Sequence, residues 1–375
     1  MDEYFVELVP ARHAGHGKFR SGSVAGIVCR RARVAYRPSR VPSRKGARTP
    51  TEQSAQHRVA SIGIVGAGAI GGWVAARLAL GGEAVGVLAR GPALDALQQS
   101  GIRLTQAGTT SQAAIEASDD AAALGVRDLL VIAVKAPALA VAAQAARPMI
   151  GPATLIVPML NGVPWWFTAE RLESVDPGGR IAAALPIDQI IGCVVHAACS
   201  RAAPNEVIVK HADKLILGEP GGGTSARIAN LATLFERAVI TAEASGNVRR
   251  AIWYKLWGNA TINPLSALTR ATADRLLADP LLRAWMREAM AELAAVGAAI
   301  GCPIGESGED RMAVTARLGA FKTSMLQDVE AGRPIELEAL LGAPREIAAR
   351  AGVPTPQLDR IYAMTRLLAE ELGLL

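Results

Sequence analysis

Four short apolar runs recur along the first half of the chain. They are Ile62–Val65, residues 84–88, LLVIAV at 129–134 and TLIVPML at 154–160. Each run is continuous, not alternating, which is the pattern of strands covered on both faces of a parallel sheet. An Ala-rich helical stretch joins the first two runs, and Gly81-Gly82 stops it. Strand, helix and strand in that order predict a βαβ unit. Three further runs, IGCVVHAA (191–198), EVIVKH (206–211) and KLILGE (214–219), are separated by turn residues and predict antiparallel strands, with a helix from about Ala226. From about residue 246 the periodicity becomes helical. It runs through 280–300, 308–330, 335–351 and 356–372, with stops at Gly301, Gly332 and Gly352. The expected fold is α/β. An N-terminal Rossmann-type dinucleotide-binding domain (59–245) is followed by an all-α C-terminal domain (246–375).

The turn after the first strand reads Gly66-Ala67-Gly68-Ala69-Ile70-Gly71. Gly66 permits a tight turn, Gly68 lets backbone approach a pyrophosphate, and Gly71 lets the helix pack closely on the strand. The helix N-terminus then faces the anion. The second strand ends Leu88-Ala89-Arg90, with no acid to take a ribose 2′-hydroxyl. A guanidinium there suits a 2′-phosphate, so NADP(H) is the expected cofactor.

Lys135 and Asn161 follow the third and fourth strands, at the carboxyl ends where a parallel sheet presents its ligand crevice. Farther on, Lys255, Asn259 and Asn263 recur every fourth residue in AIWYKLWGNATINPLSALT. On a helix that spacing makes one polar stripe, drifting about 40° per step, while Trp253 and Trp257 fall on another. Buried and unpaired, three such groups would be strongly destabilising. Asn is also a poor helix former for a merely solvated face. The stripe therefore predicts a catalytic cleft, with a lysine able to protonate a carbonyl oxygen. A second polar cluster, SMLQDVEAGRPIELEAL at 324–340, carries Ser324, Asp328, Glu336 and Glu338. Cys193, His196 and Cys199 do not make the four-ligand set that zinc prefers, and no metal site is expected.

The net charge of +6 is not evenly spread. Residues 1–58 hold ten Arg and two Lys against three Glu and one Asp, which is 12 − 4 = +8 and leaves about −2 for the rest. This segment is rich in Arg, Pro and Ser without periodicity and predicts a disordered basic extension, not a nucleic-acid-binding face. Four cysteines suit a reducing compartment, and no apolar run reaches membrane-spanning length. A cytoplasmic protein with neither nucleic-acid nor membrane partners is expected.

Residues 60–370 resemble the ketopantoate reductase (2-dehydropantoate 2-reductase) family. The resemblance is carried by GAGAIG, the lysine after VIAV, the LNG turn, WYKLWGNATINPLSAL and SMLQDVEAGRPIELEAL. It implies NADPH-dependent reduction of a 2-keto acid, most directly ketopantoate to pantoate in pantothenate and coenzyme A synthesis. By that resemblance Lys255 is the general acid, Asn259 and Asn263 bind substrate, and Ser324 meets its carboxylate. Glu336 meets its hydroxyl or the lysine network, and Asn161 and Lys135 position nicotinamide and reacting carbon. The glycine turn and Arg90 hold NADPH. The family often has Thr-Glu-Ile-Asp and then Asn-Gly, where this chain has Ile335-Glu336-Leu337-Glu338 and Leu341-Gly342; Trp165 and Trp166 add bulk expected near the crevice. Two alternatives stay open: a paralogous reductase of another branched or bulky 2-keto acid, and a non-catalytic NADP-binding regulator. A homodimer is among the assemblies this family resemblance allows.

Overall fold

A computed structural model describes residues 59–375; the basic extension expected to be disordered lies outside the described residues. Five parallel strands form the first sheet: β1 (Ile62–Val65), β2 (Val85–Leu88), β5 (Glu116–Ser118), β6 (Arg127–Ile132) and β7 (Ile150–Pro158), in the order β5-β2-β1-β6-β7. β1 and β2 are buried at every position, as their unbroken apolar runs predict. The register pairs Val65 with Leu88 and with Ile132, and Ile132 with Pro158. Four strands therefore end side by side. The segments carrying Arg90, Gly66, Lys135 and Asn161 leave from one edge.

Helix α1 (Ala69–Leu80) is buried along most of its length. It has no polar face because it lies between two sheets: its residues share a core with β1 and β2 on one side and with the second sheet on the other. That second sheet contains β3 (Ile102–Gln106), β4 (Thr109–Ala113), β8 (Gly192–Ala203), β9 (Glu206–Gly218) and β10 (Ala242–Ala244). Two differences from expectation stand out here. The runs at 206–211 and 214–219 are one strand, β9, because register shifts in the β8–β9 pairing absorb the polar interruption at His211 to Asp213 without ending it. The short strands β3, β4, β5 and β10 were not foreseen from the pattern; β4 and β5 are polar and lack an apolar run.

Small helices α2 (Pro92–Ser100), α3 (Ala121–Leu124), α4 (Leu139–Ala146), α5 (Arg180–Ala184) and α6 (Ala226–Arg237) flank the sheets. From Val248 onward every described element is helical: α7 (Val248–Thr269), α8 (Ala273–Ala278), α9 (Pro280–Ala299), α10 (Gly308–Ala316), α11 (Ser324–Glu330), α12 (Ala343–Ala351) and α13 (Pro356–Glu371). The periodic stretch 308–330 is two helices. Gly319, at φ +69°, interrupts it, and the Thr323 side chain caps the second by accepting from the Leu326 N–H. A single core runs from β6 and β7 through the 163–167 segment into α7, α9, α12 and α13. Trp165 and Trp166, expected near the crevice, are buried in that core.

Candidate active site

The polar stripe of α7 has its explanation in the opposite stripe. Trp253 Nε1 donates to the Leu293 carbonyl at 3.0 Å, and Trp257 Nε1 donates to the Met290 carbonyl at 2.7 Å. Both tryptophans are buried and fix α7 against α9. Anchored this way, α7 cannot roll, and Lys255 is presented towards β8 and the end of β7. Pro264 removes one ladder hydrogen bond but does not end the helix, which continues to Thr269.

Lys255 Nζ donates to the Val195 carbonyl of β8 at 2.6 Å and to Asn161 Oδ1 at 3.0 Å. Asn161 Nδ2 in turn donates to Glu336 Oε2 at 3.2 Å. Glu336, only 8% exposed, also accepts from the Ala136 N–H at 3.3 Å. Amine, amide and carboxylate thus form one chain across three segments of the fold. Burial lowers the Lys255 pKa to about 8, with Glu336 and Cys193 pulling it back up. Burial raises the Glu336 pKa, while its bonds to Asn161 and Ala136 oppose that. The result is a lysine that is mostly protonated at neutral pH yet gives up its proton readily.

The turn that aims Asn161 depends on Gly162. It has φ +77°, and a Cβ there would overlap the Ala339 carbonyl. That carbonyl accepts from the Val163 N–H at 2.8 Å. The LNG turn is therefore docked on the widened helical turn Glu338–Gly342, which starts two residues after Glu336.

The remaining candidates fall around this chain. Asn263 is 5% exposed and its Nδ2 lies 3.5 Å from Ser324 Oγ, which joins α7 to α11. Asn259 makes no side-chain hydrogen bond among the described residues, which leaves its amide available. Lys135, expected to face the nicotinamide, is ion-paired with the buried Asp328, which also accepts from Arg333 Nε at 3.0 Å. Glu338 points elsewhere and accepts from the Tyr362 hydroxyl at 2.8 Å. Sequence reasoning missed the Val195 carbonyl, since a main-chain acceptor has no sequence signature. His196, considered from sequence as a metal ligand, lies on β8 next to Val195. Burial first, and the Lys255 charge second, lower the His196 pKa to about 4, so the imidazole adds no second cation beside the lysine.

A cavity of about 330 Å³ opens beside the glycine turn, lined by Gly66, Ala67, Gly68, Arg90 and Arg201 among others. Its apolar wall is one face of α4 (Ala142, Ala145 and the 65%-exposed Val141), which suits a flat adenine. The turn fits a dinucleotide. A Cβ on Gly66 would lie 2.8 Å from Val134 Cγ1, and one on Gly71 would overlap the Gly66 carbonyl, so strand and helix need both glycines to meet. At Gly68 the nearest atom to such a Cβ is 3.9 Å away, which leaves room for a phosphate at the start of α1. Ala69, Ile70 and Gly71 belong to α1 behind this turn and do not line the cavity.

The model for the family described as ketopantoate reductase PanE/ApbA matches residues 62–222, and its C-terminal counterpart matches 247–369. A 2-dehydropantoate 2-reductase from Mesorhizobium japonicum is 40% identical over 325 residues, which is 83% of this chain and 98% of the relative. A solved structure from Ralstonia solanacearum, described as a candidate ketopantoate reductase, is 52% identical with a TM-score of 0.82, covering 84% of this chain and 100% of that one. The 2-dehydropantoate 2-reductase structure from Methylococcus capsulatus is 32% identical with a TM-score of 0.73, covering 84% and 98%.

Proposed function

The chain belongs to the ketopantoate reductase family of NADP-dependent oxidoreductases, and from that premise we propose that it reduces 2-dehydropantoate (ketopantoate) to pantoate, serving pantothenate synthesis in the cytoplasm. The observation that carries this reading is the Lys255–Asn161–Glu336 chain at the strand ends that also bear the glycine-turn cavity. NADPH, when bound, supplies the hydride that reaches the keto carbon. The protein's own residues do the rest. Gly66, Ala67, Gly68 and Arg90 hold the dinucleotide. Asn259, Asn263 and Ser324 orient the keto acid, with Ser324 at its carboxylate. Lys255 delivers a proton to the keto oxygen as the carbonyl is reduced, and Asn161 and the Val195 carbonyl keep its Nζ in place. Glu336, through Asn161, holds a negative charge near the ammonium. Lys135, paired with Asp328, braces the end of β6 against α11 on the nicotinamide side.

The substrate is the finer part of the proposal. Trp165 and Trp166 are buried in the core, so the bulk expected near the crevice gives no reason to depart from ketopantoate. A regulator without catalysis has no use for a lysine whose pKa is lowered to about 8 beside an intact amide stripe. The test is NADPH oxidation followed by absorbance with ketopantoate, a panel of other 2-keto acids, and NADH as control. Rapid NADPH-dependent turnover that is best with ketopantoate is expected. Turnover only with another keto acid would replace the substrate. No turnover with any, in protein that binds NADPH, would sink the catalytic reading. Sedimentation of the same sample separates a homodimer, the assembly proposed here, from a monomer.

A further inference from the structure

Arg90 was recognisable from its place after β2, but the cavity has a second guanidinium that no βαβ pattern points to. Arg201 comes from β8, in the other sheet, opposite Val207 of β9. It lines the same cavity as Gly66, Gly68 and Arg90. Both arginines are exposed. Neither is engaged in an ion pair among the described residues, and no carboxylate lines the cavity. The lining therefore carries two unneutralised positive charges.

We propose that Arg201 is a specificity-determining residue that shares the cofactor's 2′-phosphate with Arg90; this rests on the NADPH reading above. Three observations favour the 2′-phosphate over the diphosphate. The diphosphate already has its partners, in the open backbone at Gly68 and the amino end of α1. A phosphomonoester carries roughly −1.5 to −2 at neutral pH, so one guanidinium leaves it under-neutralised and two match it. Finally, β8 spans the site. Its Val195 carbonyl holds Lys255 at the reacting end, and Arg201 lies six residues on, about 20 Å along an extended strand. An extended dinucleotide covers a similar reach, so the strand that touches the catalytic lysine reaches the far, adenosine end of the cofactor at Arg201.

The test is calorimetric titration of full-length wild type, Arg201→Ala, Arg201→Lys and Arg90→Ala with 2′-phospho-ADP-ribose and with ADP-ribose. Neither ligand carries nicotinamide, so the readout does not depend on turnover. Arg201→Ala is expected to weaken 2′-phospho-ADP-ribose about 10-fold, as for loss of one charge-assisted pair, and to leave ADP-ribose within about 2-fold. Arg201→Lys should recover part of the loss. Equal weakening of both ligands would move Arg201 to the diphosphate and overturn the proposal; no change in either would remove it from the site. If wild type itself fails to prefer 2′-phospho-ADP-ribose, the NADPH reading falls, and this proposal with it.

Discussion

Burial of the ammonium lowers the Lys255 pKa to about 8, and the charge of Glu336 works against that shift. In the proposed reduction the proton donor is the protonated lysine. Its rate should therefore be level at low pH and fall as pH rises through about 8. Replacing Glu336 by Gln removes the charge that favours the ammonium, so the alkaline fall should move to lower pH, by about one unit for an interaction of roughly 1.4 kcal/mol. A pH profile of kcat at saturating NADPH checks this, and an unmoved profile would mean that Glu336 acts only as a hydrogen-bond acceptor. Lys255→Met tests the lysine itself. We expect kcat to fall by about 10² to 10⁴, with NADPH affinity little changed. The melting temperature should change little, because relief of the buried charge is offset by the Val195 carbonyl and Asn161 Oδ1, which lose their donor. A large drop in Tm would instead make Lys255 a structural residue.

Two elements set the geometry that those residues use. α7 is held by paired indole–carbonyl bonds four residues apart, which is why its Trp stripe and its polar stripe occur together. β7 ends in a turn seated on the Ala339 carbonyl, so the position of Asn161 is coupled to the segment that begins at Glu336. Gly162→Ala attacks this seating directly. It asks a Cβ to enter a space that the Ala339 carbonyl occupies, at φ +77°. A loss of about 1–3 kcal/mol in stability is expected from the backbone strain. A fall in kcat larger than for a destabilised variant elsewhere should accompany it. Chemical denaturation alongside kinetics separates the two effects; stability lost with kcat intact would show that Asn161 does not need this turn.

At the scale of the molecule, the described residues contain the glycine-turn cavity, the lysine chain and the core that joins them. The +8 extension is set apart by its composition. Deleting residues 1–58 should therefore leave kcat/KM for NADPH and keto acid within about 2-fold of the full chain, a change of under about 0.5 kcal/mol. A larger loss would give the extension a part in the reaction. Among the described residues no helix is long and apolar enough to cross a membrane.

What the sequence alone determined is local. Continuous apolar runs located β1, β2, β6 and β7, and period-3.6 patterning located α1, α9 and α13. Glycine chemistry marked the dinucleotide turn, and four-residue spacing marked the α7 stripe, because each of these depends on neighbours within a few turns of chain. Tertiary structure decided what met across long separations. It brought Glu336 to Asn161 over 175 residues, Lys135 to Asp328 over 193 and Lys255 to a main-chain carbonyl over 60. It also fused two expected strands into β9, buried Trp165 and Trp166, and carried Arg201 from the second sheet to the glycine-turn cavity. No pattern of adjacent residues encodes such meetings. They follow from how α1 is sandwiched between the sheets and how α7 is fixed against α9, which only the packed core specifies.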